Sequence, residues 1–446
     1  MDYVPHTFED KKKMLEKIGV ESFEKLLESI PESLRLKREL SLPPPKSELE
    51  LKTHLKELSE ENKSTEKLIS FLGGGAYDHF IPSVVEHIIS RAEFYTAYTP
   101  YQAEVSQGTL QPIYEYQSLI CELTEMEVSN ASMYDCASAT AEAALLAHSQ
   151  TKREEVIIFD SVNPFYIDVL KTYTQGLDLK INLRKNKGGI VDLDDLKKTV
   201  SEKTACVVVQ NPNFFGLLEN VEEVEPSVHS SGALLIMVCD PISLGILKAP
   251  GEYKADIAVG EGQSLGNRQN FGGPFLGFFT AKKDLIRRMP GRIIGATQDQ
   301  EGKRGFVMTL QTREQHIRRE RATSNICTNQ ALCALASCVY LSLLGKSGLR
   351  KVAELCLQKS HYAALRIEEL DGFKLKFNSP FFKEFVVQTP FPPEKIIKEL
   401  LKRKILAGID LKKSKLGLEN CLLISVTEKR TKEQIDYFVE ELKKLI

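Results

Sequence analysis

Short apolar runs rich in β-branched residues alternate with helical patterns from Pro112 to Thr280, and this alternation restricts the fold more than any other property of the chain. The strand-like runs are Ala131 to Tyr134, Val156 to Phe159, Leu179 to Leu183, Ala205 to Gln210, Ala233 to Val238, Asp256 to Val259 and Phe275 to Thr280. Helical patterns over Pro112 to Thr124, Ser138 to Gln150, Pro164 to Tyr173 and Leu193 to Val200 separate the earlier ones. Runs that are apolar throughout are buried on both faces, and helices between them supply the crossovers that parallel strands require. The pattern predicts an α/β fold with a mostly parallel, seven-stranded sheet.

Two of these strands carry a chemical layout at their ends. Ala233 to Val238 runs into Cys239 and Asp240, at the carboxyl end of a central strand, where open α/β sheets place ligands. The next strand is followed by Gly260-Glu261-Gly262-Gln263-Ser264 and then by the glycine hairpin Phe271-Gly272-Gly273-Pro274. An aspartate at a strand end, a lysine about two dozen residues later and a glycine hairpin form the layout of a pyridoxal-phosphate (PLP) site. In such a site Asp pairs with the pyridinium nitrogen and Lys carries the Schiff base. Here the lysine's place falls on Gln263, whose amide cannot form that imine. The competing reading of Asp240 is a plain Asp-Pro turn with Pro241.

Outside this region the pattern changes. Residues 1–65 read as a charged helical arm, with helices over Thr7 to Ile18, Ser22 to Ile30 and Ser47 to Leu58, too short and polar for a core. The large domain spans 66–330. Past Gly305 the chain reads as helical, with a buried helix over Thr328 to Leu344 and an amphipathic one over Gly348 to Leu370. Residues 331–446 form a smaller C-terminal α+β domain that ends β-α-β-α.

Composition excludes several function classes. A net charge of −2 leaves no nucleic-acid or membrane footprint, and no apolar run approaches the ~18 to 20 residues of a bilayer span. The N-terminus has no apolar signal region. Nine scattered cysteines without a Cys-x-x-Cys pair or a nearby His fit reduced thiols in a cytoplasmic protein, with no metal.

Three loops are candidates for function. Asp135 to Glu142 opens a small-residue helix; Asp135 and Ser138 suit a phosphate at its N-terminus, or plain capping. Tyr95 to Gly108 carries Tyr95, Tyr98, Tyr101 and Gln102 without periodicity, as a substrate-facing loop or as a packed one. Arg321 to Gln330, with Thr323, Ser324 and Asn325, could serve a phosphate or cap the next helix.

Taken together, Gly73 to Pro82, Glu93 to Leu110, Ala131 to Ala144, Asp240 to Gln263, Phe271 to Phe279 and Gly302 to Leu332 resemble the glycine-cleavage P-protein family in its split form, and there the first of two related subunits. The resemblance implies a fold-type I PLP-dependent transferase-like large domain. It also implies an α2β2 heterotetramer in which the second subunit holds PLP covalently and this chain holds none. The implied reaction releases the glycine carboxyl as CO2 and passes the aminomethyl group to the lipoyl disulfide of the H protein, which is reduced. Asp135, Ser138, Asp240 and Gln263 would then form a vestigial site. Tyr95, Tyr98, Tyr101 and Gln102 would face the partner's glycine and lipoyl entrance, and Thr323, Ser324 and Asn325 its PLP phosphate. The chain departs from the family at Asn163-Pro164, where His-Pro is expected, and in the polar stretch Asn267 to Asn270. The rival readings are a non-catalytic scaffold and an independent PLP enzyme that uses another lysine; Lys248, Lys254, Lys282 and Lys283 are the ones near the site in sequence.

Overall fold

Two capping boxes start the longer helices of the N-terminal segment. Thr7 caps α1 (Phe8–Ile18) and exchanges hydrogen bonds with Asp10, and Gly19 closes the helix in the left-handed conformation. The helix expected over Ser22 to Ile30 shrinks to α2 (Phe23–Leu26), where Ser22 makes no capping bond. Ser47 and Glu50 cap α3 (Glu48–Glu61). None of the three buries a residue. This is a computed structural model that describes residues 5–270, 273–322, 324–326, 328–414 and 416–446. The chain divides into two compact units, Met1–Lys63 and Ser64–Ile446.

In the second unit, β1 (Ile69–Ser70), α4 (Ser83–Ile89) and α5 (Ala92–Tyr95) precede α6 (Gln107–Thr124). α6 begins before the expected Pro112, because a proline in the opening turns of a helix gives up few intrahelical bonds. There follow β2 (Val128–Ser129), α7 (Cys136–Thr151), β3 (Glu155–Phe159), α8 (Pro164–Thr174), β4 (Lys180–Arg184), α9 (Leu193–Thr199), β5 (Thr204–Asn211), α10 (Val221–His229), β6 (Leu234–Cys239), β7 (Ile257–Glu261) and β8 (Gly277–Ala281). Their seven strands form one sheet in the order β2-β8-β7-β6-β5-β3-β4. β4 through β7 pair in parallel, while β8 runs antiparallel to β7 and β2.

Alternation along the strands divides the core between the two faces. Val156, Ile158, Val208 and Ile236 pack with α7 and α8; Ile157, Phe159, Val207 and Met237 pack with α9 and α10. The alanines of α7, among them Ala139, Ala141 and Ala143, are fully buried, so this helix lies close on the sheet.

After β8 the chain departs from expectation. β9 (Ile293–Gln298) and β10 (Arg304–Thr309) form an antiparallel hairpin, and β10 runs into the stretch past Gly305 that was expected to be helical. α11 (Gln315–Arg318) follows, then α12 (Ala331–Glu368), which joins the two expected helices across a non-helical Gly345. By length and composition α12 is apolar enough to cross a membrane, contrary to the reading of the sequence; here its first half packs on α6 and α4 as a core helix. The chain ends with β11 (Lys374–Leu375), β12 (Glu384–Gln388), α13 (Pro393–Lys402), β13 (Ile405–Leu406), β14 (Ile409–Asp410), β15 (Cys421–Ser425) and α14 (Lys432–Lys443). A four-stranded sheet β11-β12-β15-β14 carries this part, and β1 pairs with β13, so residues from both ends of the unit are hydrogen-bonded together.

One close approach joins the two sheets. Gly216, in the turn after β5, has φ +82, and a Cβ there would stand 1.9 Å from the Glu384 carbonyl oxygen. The Gly216 carbonyl accepts the Phe382 N–H at 3.0 Å. Only glycine lets the chain entering β12 lie this close to the carboxyl ends of the central strands. Gly216→Ala is expected to cost at least about 1–3 kcal/mol through backbone strain and displacement of residues 380–384. The urea midpoint of the variant measures this, and an unchanged midpoint would contradict it.

Candidate active-site pocket

Asp240 follows β6 and is met there by a residue from far along the chain. Its Oδ1 accepts the Ile242 N–H at 3.0 Å, and its Oδ2 lies 2.7 Å from Lys383 Nζ. Lys383 is only 2% exposed. It sits at the entry to β12, placed by the Gly216 contact. Its ammonium also lies 3.5 Å from the centre of the Tyr77 ring and 3.0 Å from His79 Nε2. An ammonium only donates, so Nε2 accepts, and the imidazole proton is assigned to Nδ1. Nδ1 then donates to Glu428 Oε2 at 2.6 Å, and the other Glu428 oxygen accepts the Phe80 N–H at 2.7 Å. Burial opposes a charge on Glu428, but His79 and this N–H override it and hold its carboxyl well below the usual range. His79, Cys356 and Glu428 come within 4.8 Å of one another; the neighbouring ammonium makes the cluster a poor seat for a metal cation.

Gln263 lies in the turn after β7, buried and bonded at both ends of its amide. Oε1 accepts the Tyr77 N–H at 2.8 Å; Nε2 donates to the Tyr77 carbonyl at 3.1 Å and to the Asn267 carbonyl at 2.7 Å. Of the lysines near it in sequence, Lys248 is engaged with Glu222, Lys254 with Glu225 and Lys282 with Asp256, and Lys283 is exposed. Phe271 and Gly272 of the glycine hairpin lie outside the described residues.

The opposite end of the pocket is the N-terminus of α7. Asp135 and Ser138 close a capping box there, with the Ser138 N–H donating to Asp135 Oδ1 at 2.7 Å. The Cys136 N–H donates to Glu261 Oε2 at 3.1 Å, and Glu261 Oε1 accepts the Gln263 and Leu276 N–H groups. A carboxyl group of the chain therefore occupies the place where a helix N-terminus would receive a phosphate. Glu384, beside Lys383, accepts the Gly74 N–H at 2.7 Å and the Tyr77 hydroxyl at 2.8 Å. Between Asp240, Glu261, Tyr77 and Lys383 remains a cavity of about 30 Å³, room for one or two waters.

The other expected site residues lie on loops outside this pocket. Tyr95 and Tyr98 are exposed, Tyr98 at 84%, and Gln102 is exposed. Tyr101 is half-buried: its hydroxyl donates to Asn329 Oδ1 at 2.5 Å and its ring lies 3.9 Å below the Arg292 guanidinium. Arg292 Nε and Nη1 and Asn329 Nδ2 are shielded from water and have no hydrogen-bond partner among the described residues. Thr323 lies outside the described residues. Ser324 and Asn325 were expected at a helix start, but α12 begins only at Ala331. Ser324 donates to Glu142 Oε1 at 2.8 Å, and Asn325 is exposed.

Lys383, Glu261 and Arg292 were not singled out from the sequence. For Lys383 the available signal was a Lys-Glu pair inside the aromatic run Phe381-Phe382-Lys383-Glu384-Phe385 at the start of a buried strand, where an unpaired charge is costly.

Comparison with known proteins gives a consistent picture. The glycine cleavage system P-protein family model matches residues 1–442. The chain is 54% identical over 445 residues, covering both chains fully, to a probable glycine dehydrogenase (decarboxylating) subunit 1 of Chloroherpeton thalassium. It matches the crystal structure of an inhibitor-bound glycine decarboxylase (P-protein) of the glycine cleavage system with a TM-score of 0.91, at 42% identity over all of both chains. A sphingosine-1-phosphate lyase of Burkholderia pseudomallei K96243, at 12% identity, a TM-score of 0.66 and 92% of each chain, shares the fold. The chain belongs to the glycine cleavage system P-protein family and has the fold-type I architecture of PLP-dependent enzymes.

The buried carboxyls give a pH signature. Burial raises Glu261 to about 8 and Glu384 to about 7, against the pull of the N–H and O–H groups that they accept. The folded chain keeps these protons where the unfolded chain, with carboxyls near about 4.3, has released them. Their contribution is full below about pH 4.3 and is lost as pH rises to about 7–8, at up to about 1.4 kcal/mol per pH unit and group. Urea unfolding between about pH 5.5 and about pH 7.5 should show stability falling with pH, and falling less in Glu261→Gln. Equal slopes in the two proteins would rule out a raised Glu261.

Proposed function

We propose that this chain is the subunit of a glycine cleavage P-protein that shapes the active site while a related partner subunit carries PLP covalently. The pair decarboxylates glycine, releases CO2 and transfers the aminomethyl group to the lipoyl arm of the H protein, as an α2β2 assembly in the cytoplasm. PLP, when bound in the partner, supplies the sink for the electrons left by the departing carboxyl. The observation that carries this reading is the state of the chain's own pocket. Its Gln263 is an amide bonded at both ends, and the amine deeply placed there among the described residues, Lys383, is held on Asp240, the group that would pair with a pyridinium nitrogen. An amine at that end of a ring is remote from the aldehyde it would have to reach, which counts against an independent PLP enzyme.

The outward-facing residues support a role in a neighbouring site. Three shielded donors without acceptors, on Arg292 and Asn329, are costly unless an acceptor arrives. Arg292 offers Nε and Nη1, the fork that suits a carboxylate or a phosphate, and Tyr101 holds it from below. We assign Tyr95, Tyr98, Tyr101 and Gln102 to the entrance for glycine and lipoyl. Thr323, Ser324 and Asn325 stay assigned to the partner's PLP phosphate, which Ser324 reaches only by releasing Glu142.

The purified chain alone should show neither glycine decarboxylation nor a borohydride-reducible link to PLP, and both should appear once the lysine-bearing partner subunit is added. In the assembled complex, Tyr101→Phe and Arg292→Ala should each lower kcat/KM by about one to two powers of ten with assembly intact. Normal turnover in both variants would favour a non-catalytic scaffold.

A further inference from the structure

We infer that this chain fills from within both ends of the place PLP would take: the Lys383 ammonium stands for the pyridinium on Asp240, and the Glu261 carboxyl group takes the place of the phosphate at the N-terminus of α7, so the pocket is closed to the cofactor from both ends. The inference rests on the reading that this chain holds no cofactor, and names what keeps it out. Loss of a hook lysine would by itself prevent only a covalent link, since a ring and a phosphate can be bound without one. Here the binding groups themselves are occupied.

The geometry is specific at each end. Lys383 Nζ lies 2.7 Å from Asp240 Oδ2, the distance of a direct charge-assisted bond, with the Tyr77 ring at 3.5 Å and His79 at 3.0 Å completing its surroundings. Glu261 takes the Cys136 N–H, while Asp135 takes that of Ser138, so carboxyl groups of the chain itself engage these N–H groups of the first turn of α7. Gln263 ties the Tyr77 backbone across the pocket. The about 30 Å³ left over compares with about 150 Å³ for a cavity that accepts benzene. A pyridine ring with a phosphate does not fit without displacing Lys383, and a second cation on Asp240 cannot coexist with the first.

The test uses pyridoxamine 5′-phosphate, which needs no lysine to bind, and pyridoxamine, which lacks the phosphate. Binding is read by calorimetry and by ligand-induced rise in melting temperature on the purified full chain. Wild type should bind neither. Lys383→Ala, which frees Asp240, should bind pyridoxamine 5′-phosphate saturably. Adding Glu261→Ala should tighten that binding at least tenfold, with no such gain for pyridoxamine. If Lys383→Ala fails to melt cooperatively, Lys383→Asn, which leaves a neutral donor in the pocket, takes its place. Folded variants that bind no better than wild type overturn the closure while leaving the cofactor-free reading intact. Wild type that binds pyridoxamine 5′-phosphate overturns both.

Discussion

A carboxylate at the end of a buried parallel strand needs a counter-charge, and in this chain that requirement organises everything around the pocket. Asp240 is fixed by β6, so its partner must come to it. Lys383 does so across the gap between the two sheets, and the rest of the crossing follows from that one bond. Gly216 has no side chain because the backbone carrying Lys383 passes over it. Tyr77 turns its ring to the ammonium, His79 takes the tautomer that accepts from it, and Glu428 accepts the Nδ1–H hydrogen bond on the far side. Gly73 and Gly74 give the loop room against Glu384 and Ile409.

The same logic ties residues 73–80 to the end of β15. Asp78 is buried between Lys429 and Arg430, and its carbonyl accepts the Thr427 hydroxyl. Buried ion pairs of this kind add little net stability, because desolvation offsets most of the attraction, but removing one partner leaves an uncompensated charge. Their effect is on specificity of arrangement: the loop has one seating in which each charge is met.

The sheet was legible in the sequence because each strand is a local event. Val207, Val208 and Val209 declare burial on both faces without reference to any distant residue, and Thr7, Ser47 and Asp135 declare helix starts through side chains that bond within the next turn. β9 and β10 were not legible: Gly295 and Ala296 carry little strand propensity and lie in a strand because residues 304–309 pair with them. The pocket divides in the same way. Asp240 and Gln263 lie on one strand-turn-strand unit and could be read as a pair. Lys383 arrives from beyond that unit, and only the fold shows that it faces Asp240 rather than solvent. Arg292 and Asn329 share a residue, Tyr101, that lies far before both in the chain, 228 residues before Asn329.

Why the pocket is filled with charge instead of apolar side chains follows from what the fold cannot discard. The N-terminus of α7 keeps its unpaired N–H groups and its positive end as long as α7 packs on the sheet. Asp240 caps the turn that carries β6 into the Ile242 segment, so it too has a local duty. Apolar filling would leave both poles unmet in a low-dielectric space, where a lone charge costs several kcal/mol. The Lys383 ammonium and the Glu261 carboxyl group meet both poles at once, with Gln263 closing the loop between them. Gln263 therefore does more than mark a lost lysine: a lysine in its place would have no acceptor for the Tyr77 N–H, and would set a second cation beside Lys383.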